Sequence, residues 1–358
     1  MVSLPGVMKT HVLKVDPSAP DLQKIRMAAE VLRSGGLVAF PTETVYGLGA
    51  NALDEKAVLR IFEAKQRPAD NPLIVHIADL EDVYVLTEHL PPKALDLMER
   101  FWPGPLTLLL PRSELVPDIT TAGLSTVAVR MPSHPIAHML IQEAEVPVAA
   151  PSANLSGRPS PTTAAHVLQD LAGKIEMVID GGEVEFGLES TILDLTSTPP
   201  TLLRPGPITV EELKEILGEI SVHPVARAEE PPEKVIALAP GMKYRHYAPK
   251  AKVVLVEGPV DAMVRRIREM AKEYTQMSRR VGIMATAETA HNYEGQYVEI
   301  VGERQRPKTI AKNLFKTLRK FDEKGVDIVI AEGLEPIGVG LAITNRLRKA
   351  AGQEIVRV

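Results

Sequence analysis

The chain has 358 residues, 45% of them hydrophobic and 24% charged, as in ordinary folded proteins, and at roughly 150 residues per domain this length predicts two domains. It contains no cysteine, which excludes disulfide scaffolds, zinc ribbons, iron–sulfur ligation and cysteine nucleophiles together. The net charge of −5 conceals an asymmetry: residues 1–220 carry 17 basic and 29 acidic side chains, and residues 221–358 carry 24 and 17.

From Asp21, the apolar residues Leu22, Ile25, Ala29 and Leu32 recur at helical spacing and close on Ser34-Gly35-Gly36, a glycine C-cap. Leu37–Phe40 then reads as a buried strand. The same grammar predicts helices near 54–65, 92–101, 135–144 and 209–217. It predicts strands at Leu73–Ile77, Leu106–Leu110, Val127–Met131, Met177–Asp180, Thr191–Leu195 and Thr201–Leu203. Interleaved helices and strands with some direct strand-to-strand connections specify an α/β domain over 1–220 with a mixed, twisted sheet. Five prolines between 221 and 250, with no sustained periodicity, mark an interdomain linker or lid. Strands at Lys252–Glu257, Val281–Ala285 and Asp327–Ala331 alternate with helices at 259–274, 307–322 and 340–350. That rhythm predicts a smaller Rossmann-like α/β domain over 251–358.

No stretch approaches 18 consecutive apolar residues, and Met1-Val-Ser-Leu-Pro-Gly6 lacks a charged region followed by an apolar one. The expectation is a soluble, cytoplasmic protein. The basic second part invites a nucleic-acid reading. Mutual docking of oppositely charged domains is the simpler account, because arginines are not interleaved with aromatic residues there.

The common catalytic motifs are missing. There is no phosphate-binding G-x-x-x-x-G-K-[ST], no G-x-S-x-G and no H-E-x-x-H, and Gly338-Val-Gly340 lacks the third glycine of a dinucleotide fingerprint. His134 and His138 have metal-ligand spacing without a third ligand, so a surface helix is expected and no protein metal site.

Four polar clusters remain at strand ends or turns, where α/β proteins place ligands. The first is Pro41-Thr-Glu-Thr-Val-Tyr-Gly-Leu-Gly49, whose hydroxyls and flexible glycines could wrap a small polar ligand or form a plain turn. The second is Lys65-Gln-Arg67 with Asn71, followed by His76. Its two cations suit either a helix C-terminus or a polyphosphate. The third combines Thr126, Arg130, Ala150-Pro-Ser152-Ala-Asn154 and Ser160, and the fourth Ser190-Thr191 with Arg204-Pro-Gly206. Positive groups distributed over several clusters can hold an anionic nucleotide without a phosphate-binding loop.

Together the PTETVYGLG run, the K-x-R with Asn71, the S-x-N at 152–154, the ESTI segment at 189–192 and Pro240-Gly-Met-Lys-Tyr-Arg-His-Tyr-Ala-Pro249 resemble the threonylcarbamoyl-AMP synthases in their two-domain form. In that form a YrdC-like catalytic domain precedes an extra C-terminal domain. The resemblance implies a nucleotidyltransferase that makes threonylcarbamoyl-AMP and pyrophosphate from L-threonine, bicarbonate or carbon dioxide, and ATP. The product would pass to the machinery that builds threonylcarbamoyladenosine in tRNA. It further implies that Thr44, His76, Arg130, the Ala150 backbone and Ser190 hold threonine. Lys65, Arg67, Asn71, Thr126, Ser152, Asn154, Ser160, Arg204 and Tyr244 would surround ATP, with Lys65, Arg67, Arg130 and Tyr244 closest to the chemistry. Mg2+ is expected to arrive on the nucleotide's phosphates.

Two other readings compete. A non-enzymatic RNA-binding or ribosome-associated factor with a YrdC-like fold would make weak RNA contact through the basic C-terminal part. The hydrogenase-maturation carbamoyltransferases also contain a YrdC-like module, but they need cysteine-rich zinc modules, which this chain lacks.

Overall fold

The computed structural model describes residues 8–228, 237–243, 246–293, 297–352 and 354–358. The first part begins with strand β1 (His11–Lys14), helix α1 (Leu22–Arg33), strands β2 (Val38–Pro41) and β3 (Tyr46–Asn51), and helix α2 (Glu55–Lys65). Next come β4 (Ile74–His76), the short α3 (Val83–Leu86), α4 (Ala94–Phe101), β5 (Leu106–Pro111), the short α5 (Asp118–Thr121) and β6 (Thr126–Arg130). It continues through α6 (Pro135–Ala144), β7 (Val148–Ala149), α7 (Ala164–Leu171), β8 (Met177–Asp180), β9 (Thr191–Asp194), β10 (Thr201–Arg204), α8 (Val210–Leu217), β11 (Ser221–Val222) and α9 (Pro224–Arg227).

The helix signals in the sequence act as capping predicts. Asp21 accepts from the amides of Gln23 and Lys24, and Asp54 accepts from Lys56 and Ala57, which satisfies donors that the first turn leaves unpaired. Helix α2 stops at Gln66 in a left-handed conformation, φ 51°, so the chain turns abruptly after Lys65. Among the described residues the first sheet has eleven strands in the order β1-β8-β2-β3-β7-β4-β6-β5-β9-β10-β11. Its pairings are mixed: β4 and β6 are parallel, for example, and β5 and β6 antiparallel.

Three features of this region depart from the sequence reading. The glycines after Thr44 form strand β3 and do not wrap a loop: a Cβ on Gly49 would lie 2.8 Å from both the Phe40 ring and Val148, so that glycine is required for strand packing. His134 caps α6 through its ring nitrogen, accepting from the Ile136 amide, and does not lie on a helix face with His138. At the start of the proline-rich stretch, Ser221 and Val222 pair with β10, and α9 buries Val225 against Leu203 and Ala239.

The second part comprises β12 (Lys252–Glu257), α10 (Val260–Gln276), β13 (Val281–Thr286), β14 (Tyr297–Gly302), α11 (Pro307–Glu323), β15 (Ile328–Glu332), α12 (Val339–Ala351) and β16 (Ile355–Arg357). Its strands form a parallel sheet ordered β14-β13-β15-β12-β16. One face packs on α10 through Met263 and Ile267, the other on α11 and α12 through Leu314, Phe315 and Ile343. This is the mixed-sheet domain plus smaller parallel α/β domain that the alternation of elements predicts. The apolar side chains packed around α11 and α12 also take in Val45 and Leu188 from the first part, so the two units share an apolar contact. No helix among the described residues is long and apolar enough to cross a membrane.

Candidate active site

The clusters separated in sequence converge on one open cleft of about 630 Å³. Strands β4 and β6 run parallel with His76 opposite Arg130, which sets imidazole and guanidinium side by side at the carboxyl ends of two central strands. Arg130 is 3% exposed. It donates to Glu43 Oε1 at 2.7 Å and to the Gly104 carbonyl at 3.3 Å. The turn bearing Glu43 is braced by Thr42, whose Oγ1 lies 2.7 Å from Thr44 Oγ1 and also accepts from the Thr44 and Val45 amides.

Arg204, at the end of β10, donates to Ser190 through both its backbone and its hydroxyl oxygen, at 3.0 and 3.1 Å, and to the Pro240 carbonyl at 3.2 Å. Burial lowers its pKa to about 10, which still leaves it a cation at neutral pH. Ser190 in turn meets Thr107 of β5 at 2.7 Å.

On the opposite wall, Arg67 donates to the carbonyls of Asn71 and Pro72, and Ser152, Asn154, Arg158 and Ser160 follow along one loop. Lys65 is buried beneath that loop. Its ammonium donates to the Ser152 and Asn154 carbonyls, and burial first, then the neighbouring Arg67, pushes its pKa well below the usual lysine range. Both contacts hold the S-x-N turn, so Lys65 positions that turn from behind it.

Of the residues that the sequence singled out, Thr44, Arg67, His76, Arg130, Ala150, Ser152, Asn154, Ser160 and Arg204 line the cleft. Ser190 lies behind Arg204 and Lys65 behind the 152–154 turn. The Ala150 N–H is taken by the Ile74 carbonyl at 2.9 Å. Asn71 is buried beside Arg67, off the wall. Thr126 opens β6, four residues before Arg130, roughly 13 Å along the strand at about 3.3 Å per residue, and is not among the residues that line the cleft. Tyr244 falls outside the described residues.

Several wall residues escaped the sequence reading. Glu189 accepts from Ser160 at 2.5 Å and from Arg346 of α12 at 3.0–3.1 Å. Burial opposes its ionisation, but Arg346 and Arg204 prevail and hold its carboxyl below the usual range. Arg158 pairs with Asp170 at 2.5 Å, and Asp170 also accepts from Arg319 of α11 at 2.8 Å. A second cation just after the S-x-N motif was a usable signal for Arg158. The partners of Glu189 and Asp170 lie about 150 residues away in the chain and carry no local signature.

Residues 240–243 and 246–247 run across the cleft. Pro240, Gly241, His246 and Tyr247 join its wall, and Lys243 pairs with Asp70 at 2.5 Å. Among the described residues, three buried polar atoms on this wall lack a hydrogen-bond partner: His76 Nδ1, Asn154 Oδ1 and His246 Nε2. Burial, reinforced by Arg130, lowers the His76 pKa to about 3, and burial with Lys349 lowers that of His246 to about 3. Both rings are therefore neutral near pH 7. Buried groups left unpaired in this way call for a ligand.

Two family models match successive parts of the chain: one described as "Telomere recombination" over residues 30–206, and one as "Threonylcarbamoyl-AMP synthase, C-terminal domain" over 208–352. A threonylcarbamoyl-AMP synthase of Pyrococcus abyssi is 55% identical over 94% of this chain and 96% of its own. One of Bacillus subtilis is 51% identical over 93% and 94%. The crystal structure of P. abyssi Sua5 complexed with L-threonine superposes with a TM-score of 0.92 at 53% identity, covering 98% of this chain and all of the other.

Proposed function

The chain belongs to the threonylcarbamoyl-AMP synthase family, and we propose how its cleft carries out the reaction of that family: threonylcarbamoyl-AMP and pyrophosphate from L-threonine, bicarbonate or carbon dioxide, and ATP. The observation that carries this reading is the convergence of the buried Arg130 and Arg204 with Arg67 on a cleft whose walls hold three unpaired polar atoms. Threonine occupies the Arg130 end. The guanidinium fork receives its carboxylate while Glu43 holds the other side of the same fork. Neutral His76 offers its free nitrogen to the threonine hydroxyl, a group that both donates and accepts.

ATP lies along the wall of Arg67, Ser152, Asn154, Arg158 and Ser160, with Arg204 between the two substrates. The threonine amine captures carbon dioxide and loses a proton to give a carbamate. A carbamate oxygen then attacks the α-phosphorus and expels pyrophosphate, so no covalent bond to the protein is needed. Catalysis comes from holding three reactants in register and from fixed positive charge around the phosphorus. Residues 240–243 and 246–247 cover the site and keep water from the carbamate and the mixed anhydride.

Among the described residues no three His, Asp or Glu side chains cluster as metal ligands, and Glu43 and Glu189 are each engaged by an arginine. These residues fit Mg2+ brought by the nucleotide's own phosphates, where it would supply positive charge to offset that of the pyrophosphate. The product passes to the tRNA threonylcarbamoyl-transfer machinery.

Pyrophosphate release tests the reading. It is expected only with threonine and bicarbonate both present, with modest leakage to serine, because one methyl group is worth about 1–3 kcal/mol in a buried pocket. Equal release without bicarbonate, or from ATP alone, would overturn it.

A further inference from the structure

A second cavity, of about 290 Å³, lies between the two units and touches none of the residues assigned to the reaction. Phe186, Leu188, Pro207 and Val339 give it an apolar floor, and Lys308 and Lys312 of α11 stand at its side. Helix α11 carries lysines at every fourth position from 308 to 320, and Lys324 follows as its C-cap. Lys316 pairs with Glu183 at 3.0 Å, and Lys320 and Lys324 pair with Glu299 at 3.1 and 2.8 Å. Lys308 and Lys312 form no ion pair among the described residues, and they are the two that face the cavity.

We propose that this interdomain cavity is a second ligand site, one that takes a small organic monocarboxylate with an apolar body. That volume lies at the lower end for small-molecule pockets and suits a compact ligand, and such pockets combine apolar walls with a few placed polar groups. The lysine stems extend the apolar surface while their ammonium groups supply the charge. Glu185 stands at the same opening and would repel a second negative charge, so the site favours a carboxylate over a phosphate dianion.

Occupancy reaches the catalytic cleft through one short segment. Phe186 and Gly187 donate their amides to the Glu43 and Thr44 carbonyls at 2.8 and 3.1 Å. On the other side Gly187 is so close to α11 that a Cβ would lie 2.5 Å from the Lys312 carbonyl oxygen. A ligand wedged against Phe186 and Leu188 therefore presses on the turn that carries Glu43, the partner of Arg130. It changes threonine affinity, and threonine changes its own by the same factor.

The test uses the full-length protein and calorimetric titration with 3-phenylpropionate, its neutral amide and acetate. The carboxylate is expected to bind, with the amide and acetate each about tenfold weaker. K308Q/K312Q should lose the preference for carboxylate over amide while keeping normal pyrophosphate release. Saturating threonine with a non-hydrolysable ATP analogue should leave the probe bound and shift its affinity. Equal binding of acid and amide, binding unaffected by the double substitution, or competitive displacement by the substrates would each overturn the site. Identical probe affinity with and without threonine would overturn the coupling. Because binding is read directly, the site can fail while the assigned synthase reaction stands, and the reverse.

Discussion

Arg130 and His76 illustrate how much a single position can say. Both were legible because a charged or imidazole side chain closing an apolar strand has few structural uses. What the sequence could not show is that Arg130 shares its fork with Glu43 at 2.7 Å. Arg130→Ala should lower threonine affinity by about 1.5–3 kcal/mol, the worth of a charge-assisted contact, and leave ATP affinity nearly unchanged in equilibrium titrations. Since Glu43 would then be buried alone, Arg130→Ala/Glu43→Gln serves as the stability control. A loss of ATP affinity with threonine binding intact would remove the carboxylate role from Arg130.

His76 yields a pH prediction. Its pKa falls from 6.5 to about 3 on folding, so between those values the unfolded chain binds more protons, and stability is lost as pH falls through that window. Threonine affinity, by contrast, should show no histidine titration between pH 5.5 and 7.5. The thermal midpoint of His76→Gln should fall less than that of the parent protein on acidification from pH 6.5 to 4. A threonine-binding transition near pH 6.5 that vanishes in His76→Gln would contradict a neutral imidazole.

At the scale of elements, the long periodic helices and buried strands were readable, and the misses have physical causes. Strands β14 and β16 are sheet edges, the latter only three residues long, and neither has the continuous apolar run of a central strand. Strand β3 was hidden by glycines that serve packing. Helix α7 was overlooked although Thr163 caps it, the kind of signal that located α1 and α2.

The contribution of α12 to the cleft was not legible at all. Its Arg346 is fully buried and holds Glu189 and the Pro205 carbonyl. Removing one partner of a buried ion pair costs about 3–5 kcal/mol, chiefly because the other is left uncompensated. Arg346→Met should therefore destabilise the protein by that amount in denaturant titration, and Arg346→Met/Glu189→Gln by much less. A double-variant destabilisation equal to the sum of those of Arg346→Met and Glu189→Gln alone would show that the pair is not coupled.

The charge asymmetry finds its explanation in the whole molecule. Lys316–Glu183, Arg319–Asp170 and Arg346–Glu189 all join a cation of the basic part to a carboxylate of the acidic part, and Val45 and Leu188 pack among the apolar side chains of the second unit. Docking thus uses charge that by composition alone also suited RNA. Residues bonded across this boundary, Ser160 through Glu189 and Arg158 through Asp170, lie on the wall proposed for the nucleotide, so that wall depends on both units. Calorimetry should accordingly show one cooperative unfolding transition. Two separated transitions would mean that the interface contributes little.

The central claim is that threonine and ATP occupy opposite ends of one cleft and meet between Arg130 and Arg67. A crystal structure of the protein with L-threonine and a non-hydrolysable ATP analogue tests it most directly. The account predicts the threonine carboxylate on Arg130, its hydroxyl at His76, and the triphosphate along Arg67, Ser152 and Ser160 with the α-phosphorus facing the threonine amine. Threonine bound away from Arg130, or a nucleotide whose α-phosphorus faces away from the amine, would contradict it.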